Sequence, residues 1–345
     1  MRRTADDDNG MLQPPSGAAA CAARVLVICR RAVVLCLLSL CAVGLQSTAA
    51  APLRVITSIP PVMDLVRQVG GEVIQLQTLV PTGVSSHTFQ PRPGDVQYLT
   101  QADLVILNGL SLESAIEKLV RCCGNPKATL LKLGDRTLGQ EEWMFGFSFP
   151  KSQGHPNPHL WLNVEIAMRY VELIREQLCA LDPQHGEQYR GNAAYTLDHL
   201  SRLDRCITTA IGTIPPGART LITYHDAWPY FAKRYGLSVL AVVQPANFAE
   251  PSAREVARVV DQLRQADVPA IFGSEIFSSK VGQKIAREAG VRFITPLYDE
   301  VLPGAPGERQ HSYSGMMQRN VATIVAGLGG DPAAFERCLQ DGAVR

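Results

Sequence analysis

Four short stretches place a histidine or carboxylate where a metal ion could be held: Ser86-His87-Thr88-Phe89-Gln90-Pro91, Pro158-His159-Leu160-Trp161, Tyr224-His225-Asp226-Ala227-Trp228 and Leu297-Tyr298-Asp299. A single loop histidine is ordinarily a surface residue. Here the setting recurs, and imidazole nitrogens with a carboxylate oxygen are the donors borderline divalent cations take. Spacings of roughly 65 to 75 residues exclude a local clip of the zinc-finger kind, so a whole fold must gather the four. The loop from Val80 to Asp95 carries Pro81, Pro91 and Pro93 with Gly83 and Gly94, which hold it in one shape and let it aim His87.

The elements that must position these groups alternate. Leu53 to Ser58 reads as a strand, followed by Val62, Leu65, Val66 and Val69 at helical spacing. Val73 to Val80 is a second strand and Gly94 to Ala102 a helix. Leu104 to Leu107 and Ala128 to Leu133 are strands flanking a helix at Leu112 to Val120. Gly134 to Pro158 reads as a long mobile loop delivering His159. After a helix over Val164 to Ala180 and the break at Asp182-Pro183, one helix is predicted from about Gln184 to Ile211, about 42 Å long at 1.5 Å per residue.

Strands at Thr220 to Thr223, Ser238 to Val243, Pro269 to Phe272 and Val291 to Pro296 then alternate with helices, ending just before Asp299. Such alternation implies parallel βαβ units, whose ligands lie beyond the carboxyl ends of the strands. The fold class is therefore α/β: two lobes, each with a mostly parallel sheet flanked by helices, joined by one long backbone helix, with the site between them. The expected divisions are a leader over residues 1–50, an N-terminal lobe over 51–183, the linking helix over 184–212 and a C-terminal lobe over 213–345.

Arg24, Arg30 and Arg31 precede an apolar run from Ala32 to Leu45, and small residues follow to Ala51. This reads as a cleaved secretory signal, too short to span a bilayer, with export to the periplasm. Leu40 is too large for the usual lipid-attachment site at Cys41, so no lipid anchor is expected. With 33 Lys and Arg against 32 Asp and Glu, and no basic cluster with interleaved aromatics, nucleic acid is excluded as a partner. Past the leader, Cys122, Cys123, Cys179, Cys206 and Cys338 lack metal-ligand spacing; one disulfide or none, with buried thiols, is expected.

These motifs, together with Tyr230 to Leu237, Glu250-Pro251-Ser252, Ser274 to Ser278 and Tyr313 to Met317, resemble the cluster A-I solute-binding proteins of metal ABC transporters, the zinc and manganese binding ZnuA/TroA-like family. The resemblance covers nearly the whole chain past the leader. It implies that His87, His159, His225 and Asp299 surround the metal, that a membrane permease receives it, and that the chain does no covalent chemistry. Three neutral imidazoles and one carboxylate suit Zn²⁺ in a four-coordinate site, whereas Mn²⁺ would gain from a second carboxylate in place of His225. Zinc is therefore the expected cargo, with manganese or iron as the alternative. Two departures stand out: the loop before His159 holds only His155 rather than a His-rich acidic run, and Glu300 follows Asp299 where a small residue is common, making it a rival carboxylate.

A secreted zinc hydrolase is the competing function class. It would need an open coordination position and a general base, and no His-Glu-x-x-His or Gly-x-Ser-x-Gly is present. An organic chelate in the same fold would not require converging histidines. Glu275 reads as a supporting hydrogen-bond partner or a solvated strand end; His155 as an aid to metal capture or a surface residue; His185, His199 and His311 as surface residues; Trp161 and Trp228 as packing near the site. A monomer is expected.

Overall fold

The computed structural model describes residues 51–244, 247–266 and 268–341; the leader, with Cys41 and its expected cleavage region, lies outside them. In the first lobe β1 (Leu53–Thr57), β2 (Ile74–Thr78), β3 (Leu104–Leu107) and β4 (Thr129–Lys132) form a sheet of order β2-β1-β3-β4, parallel throughout. The second lobe repeats it with β5 (Thr220–Thr223), β6 (Ser238–Val242), β7 (Ala270–Ser274) and β8 (Arg292–Leu297), ordered β6-β5-β7-β8 and again parallel. In each sheet the order reverses between the first and third strands, where open α/β sheets leave a crevice. β3, Leu-Val-Ile-Leu, is buried at every residue, as expected of a parallel strand covered on both faces. Pro296 is tolerated because β8 is an edge strand.

The helices follow from apolar spacing. α1 (Pro60–Gly70) starts on a Pro-Pro pair that presets φ and buries Val62, Leu65, Val66 and Val69 on one stripe. The first lobe continues with α2 (Pro93–Gln101), α3 (Ser114–Cys123), the short α4 (Leu133–Thr137) and α5 (Val164–Leu181). A 3₁₀ turn at Pro183–His185 then leads into the 27-residue α6 (Gly186–Gly212), which starts two residues after the expected position, the usual uncertainty at a helix end. α6 buries Tyr189, Ala193, Leu200, Leu203, Ile207 and Ala210. In the second lobe come α7 (Pro229–Tyr235), α8 (Ala253–Ala266), α9 (Ser279–Ala289), α10 (Tyr313–Gly327) and α11 (Ala333–Asp341).

One apolar core runs through both lobes and the long helix, including Val55 and Leu65, then Leu200 and Ile207, then Phe231, Phe272 and Met316. A smaller cluster with Ile222, Val259, Ile271 and Ile285 packs the second sheet against α8 and α9. Polar ties reinforce the junction. The Tyr313 backbone N–H donates to Asp64 at 2.8 Å, and its hydroxyl to the Trp161 carbonyl at 2.6 Å. Arg234 and the Tyr235 hydroxyl both reach Asp204 on α6. A disulfide joins Cys206 on α6 to Cys338 on α11, with Cα atoms 5.4 Å apart. The expectation of buried thiols fails for Cys122 and Cys123, which end α3 on its exposed side; Cys179 is half-buried.

The stretch expected to be a long loop, Gly134 to Pro158, carries short helical elements. It begins inside α4 and makes 3₁₀ turns at Gln140–Glu142 and Lys151–Gln153. It is also tied to the second lobe. The Met144 N–H donates to the Tyr230 hydroxyl at 3.0 Å, the Ser148 N–H to Asp226 at 2.8 Å, and the Asn157 amide to the Asp226 carbonyl at 2.6 Å. Those partners lie far along the chain, so local sequence could not reveal them.

Candidate metal centre

Three imidazoles from three separate segments meet at their Nε2 atoms. His225 Nε2 lies 2.9 Å from His159 Nε2, and His87 Nε2 lies 3.1 Å from the same atom. His225 stands two residues beyond β5 and Asp299 two beyond β8, both at carboxyl ends of strands. His87 arrives on the proline-rich loop after β2. His159 arrives at the end of the tied stretch, its position fixed by Asn108, which donates to the Pro158 carbonyl at 2.9 Å.

The other ring nitrogens determine what the Nε2 atoms offer. His159 Nδ1 lies 2.9 Å from Asn157 Oδ1, and His225 Nδ1 contacts Gln244 Oε1; each is an acceptor, so each Nδ1 carries the proton. Both Nε2 atoms are then bare lone pairs at hydrogen-bond distance with no proton between them. That contact is repulsive by itself and favourable around a cation. An imidazole whose far nitrogen donates to a fixed oxygen is the usual arrangement of a metal-ligating histidine.

Burial keeps the rings neutral. It holds His87 and His159 well below the ordinary imidazole range, with the neighbouring rings adding to the effect, and His225 is pushed down to about 4 by burial against the opposing hydrogen bond it donates to Gln244. The carboxylates behave oppositely. Asp299 is raised well above the ordinary carboxyl range by burial and then by the charges of Glu275 and Glu300. Glu300 is raised to about 7 by burial, against the hydrogen bonds from Ser86 and Ser85.

Asp299 lies with Oδ2 3.5 Å from His225 Nε2, and both of its carboxylate oxygens are buried with no hydrogen-bond partner. A buried carboxylate without partners is costly unless a cation balances it. Glu300 is also buried: donor atoms of His87, His159, His225 and Glu300 all lie within 4.8 Å of one another. Of the two carboxylates it is Glu300 that belongs to this close group, while Asp299 stands beside it, in contact with His225. The donor atoms of His87, His159, His225 and Glu300 lie close enough together to share a divalent ion, with Asp299 beside them at His225.

The remaining candidates separate clearly. Glu275 supports the carboxylate loop: its Oε1 accepts the backbone N–H groups of Asp299, Glu300 and Val301 at 2.8, 3.0 and 3.1 Å. Trp161, beyond packing on His159, donates its indole N–H to the Asp299 carbonyl at 2.6 Å. Trp228 is buried against Phe231. His155 is exposed beside Ser111, His199 is exposed, His185 contacts Asp182, and His311 contacts the Gly304 carbonyl; none joins the centre. Sequence reasoning missed Asn157 and Gln244. The Asn-Pro-His order was a usable signal for the first; Gln244, two residues beyond β6, offered only a weak one. It also missed the aromatic wall, in which Phe248 stacks on His87 at 4.4 Å and Phe277 packs 5.2 Å from His225.

Residues 55–327 match the model of the family described as zinc-uptake complex component A, periplasmic. The chain is 30% identical over 276 residues to the manganese-binding lipoprotein MntA of Halalkalibacterium halodurans, covering 80% of this chain and 88% of that protein. It is 28% identical to the iron-binding protein YfeA of Yersinia pestis, covering 82% of this chain and 88% of that one. Among solved structures, the periplasmic zinc-binding protein TroA of Treponema pallidum superposes with a TM-score of 0.73 at 25% identity, over 80% of this chain and 99% of that one.

Proposed function

The chain belongs to the periplasmic zinc-uptake component A family of ABC-transporter solute-binding proteins, and from that premise we propose that it captures one divalent transition-metal ion in the cleft and passes it to a membrane permease. Members of this family are solute-binding proteins and not enzymes. The observation that carries the reading is the meeting of the unprotonated His159 and His225 nitrogens, with His87 Nε2 against them, beside the partnerless Asp299 carboxylate. In this reading His87, His159, His225 and Asp299 bind the cargo. Asn157 and Gln244 fix the tautomers, and Glu275 and Trp161 fix the loop of Asp299. Residues 51–183 and 213–345 act as the two jaws and 184–212 as the strut. The protein works as a monomer in the periplasm. Several relatives are named lipoproteins, so the expectation of an unanchored chain has no support from them and is not retained.

Zinc is the cargo that three imidazoles and one carboxylate favour. Manganese or iron is the second reading, favoured by the buried Glu300 and by relatives named for those metals. Equilibrium dialysis of chelator-stripped protein against Zn²⁺ and Mn²⁺ tests the function: one ion retained per chain is expected, with His159→Ala retaining none. Retention equal in the two proteins would refute the assignment.

A further inference from the structure

The geometry points to Glu300 as an additional ligand to the cargo ion, which makes the site a two-carboxylate, three-imidazole site that admits Mn²⁺ or Fe²⁺ alongside Zn²⁺. The inference rests on the metal-capture reading above and goes beyond its four ligands. Glu300 is 1% exposed, follows the expected ligand Asp299 directly, and has Oε1 4.0 Å from His87 Nε2. Donors bound to one ion at about 2.1–2.2 Å lie about 3.0 Å apart when adjacent and about 4.4 Å apart when opposite, and the 2.9, 3.1, 3.5 and 4.0 Å separations observed here fall close to that span. No four-coordinate arrangement uses all five side chains, so a fifth donor implies five or more bonds.

The two oxygens of Glu300 are differently used. Oε2 accepts the Ser86 backbone N–H at 2.6 Å, which couples the carboxylate to the loop that carries His87. Oε1 has only the long 3.4 Å contact from the Ser85 hydroxyl and faces the imidazoles. A group serving only to brace the loop would need Oε2 alone. Glu275 accepts the N–H groups of both Asp299 and Glu300, so the two adjacent carboxylates are presented as one unit from the end of β8. A second hard oxygen donor raises the relative affinity for Mn²⁺ and Fe²⁺, whereas Zn²⁺ is already well served by three nitrogens and one oxygen.

The test uses the full chain, stripped by chelator and reloaded, with Co²⁺ as a spectroscopic probe and Zn²⁺ and Mn²⁺ in competition. Glu300→Gln keeps an acceptor for Ser86 and removes the charged donor. The wild-type Co²⁺ complex should show the weak visible absorption of a five- or six-coordinate ion, and Glu300→Gln the intense bands of a four-coordinate one. The same substitution should lower Mn²⁺ affinity at least tenfold more than Zn²⁺ affinity. Intense four-coordinate bands in the wild type would overturn the inference without recourse to any variant, as would a Zn²⁺/Mn²⁺ ratio unchanged by Glu300→Gln. If metal is bound but these readouts do not move, Glu300 fails as a ligand while metal capture stands; if the wild type holds no metal, both fall.

Discussion

Replacing Glu275 by Ala should damage the site without touching a proposed ligand. Three backbone N–H groups, those of Asp299, Glu300 and Val301, converge on one Glu275 oxygen at 2.8 to 3.1 Å. A hydrogen bond to a charged acceptor contributes about 1.5–3 kcal/mol, but three donors sharing one oxygen in a half-buried bend do not add fully. About 1 kcal/mol per donor gives a loss of about 3 kcal/mol in the metal-free protein. At about 2 °C per kcal/mol for a protein of this size, the melting temperature should fall by about 6 °C. Loss of a group that holds a ligand in place typically lowers metal affinity about 10–100-fold. One effect opposes this: the Glu275 charge contributes to raising Asp299, so its removal makes Asp299 easier to ionise. Glu275→Gln, which keeps an acceptor but not the charge, should therefore show a smaller loss of both stability and affinity than Ala. Thermal melts of the stripped protein and competition with a chromophoric chelator read the two quantities. Unchanged melting temperature and unchanged affinity in Glu275→Ala would refute the reasoning.

Substituting His225 by Glu should shift competitive binding toward Mn²⁺, because a hard charged oxygen replaces a nitrogen; an unchanged Zn²⁺/Mn²⁺ ratio would show that geometry alone sets selectivity. At pH 6 the stripped protein keeps a proton on Glu300, raised to about 7, and none on His225, lowered to about 4; burial and the charges of Glu275 and Glu300 push Asp299 upward as well. Metal binding should then release about one proton, from Glu300, and affinity should rise from pH 6 to 8; calorimetry in buffers of different ionisation heat measures this. Folding has the opposite sign for the two groups. The raised Glu300 favours the metal-free fold below its unfolded value, an advantage lost as pH rises through about 7, whereas the lowered His225 destabilises it as pH falls from 6.5 toward 4. Cys206→Ser should cost about 2–4 kcal/mol, since the disulfide closes a long loop between α6 and α11, and reduction should lower the melting temperature of wild type but not of the variant.

The fold was legible because its signals are local. Apolar runs such as Leu104 to Leu107 and the unbroken helical spacing from Tyr189 to Ile211 identify their elements from short windows, and βαβ alternation limits the topology. The three histidines and Asp299 stood out as repeated settings, His225 and Asp299 at the ends of strands. Their geometry was not: whether Glu300 turns inward depends on Ser86 and Ser85, more than 200 residues away, and on Glu275. The stretch before His159 was read as mobile from its Gly and Pro content. Its ties to Asp226, Tyr230 and Gln244 come from the other lobe, so composition had no access to them. With one core through both lobes, metal release should involve little change in overall dimensions, which small-angle scattering of stripped and loaded protein can check.

The central claim, that the imidazoles and adjoining carboxylates form one metal centre, is tested most directly by anomalous diffraction from crystals of chelator-stripped protein reloaded with Zn²⁺ or Mn²⁺. A single strong peak is predicted at about 2.0–2.3 Å from Nε2 of His87, His159 and His225 and in contact with Asp299. A peak outside the cleft, or none at saturating metal, would contradict it.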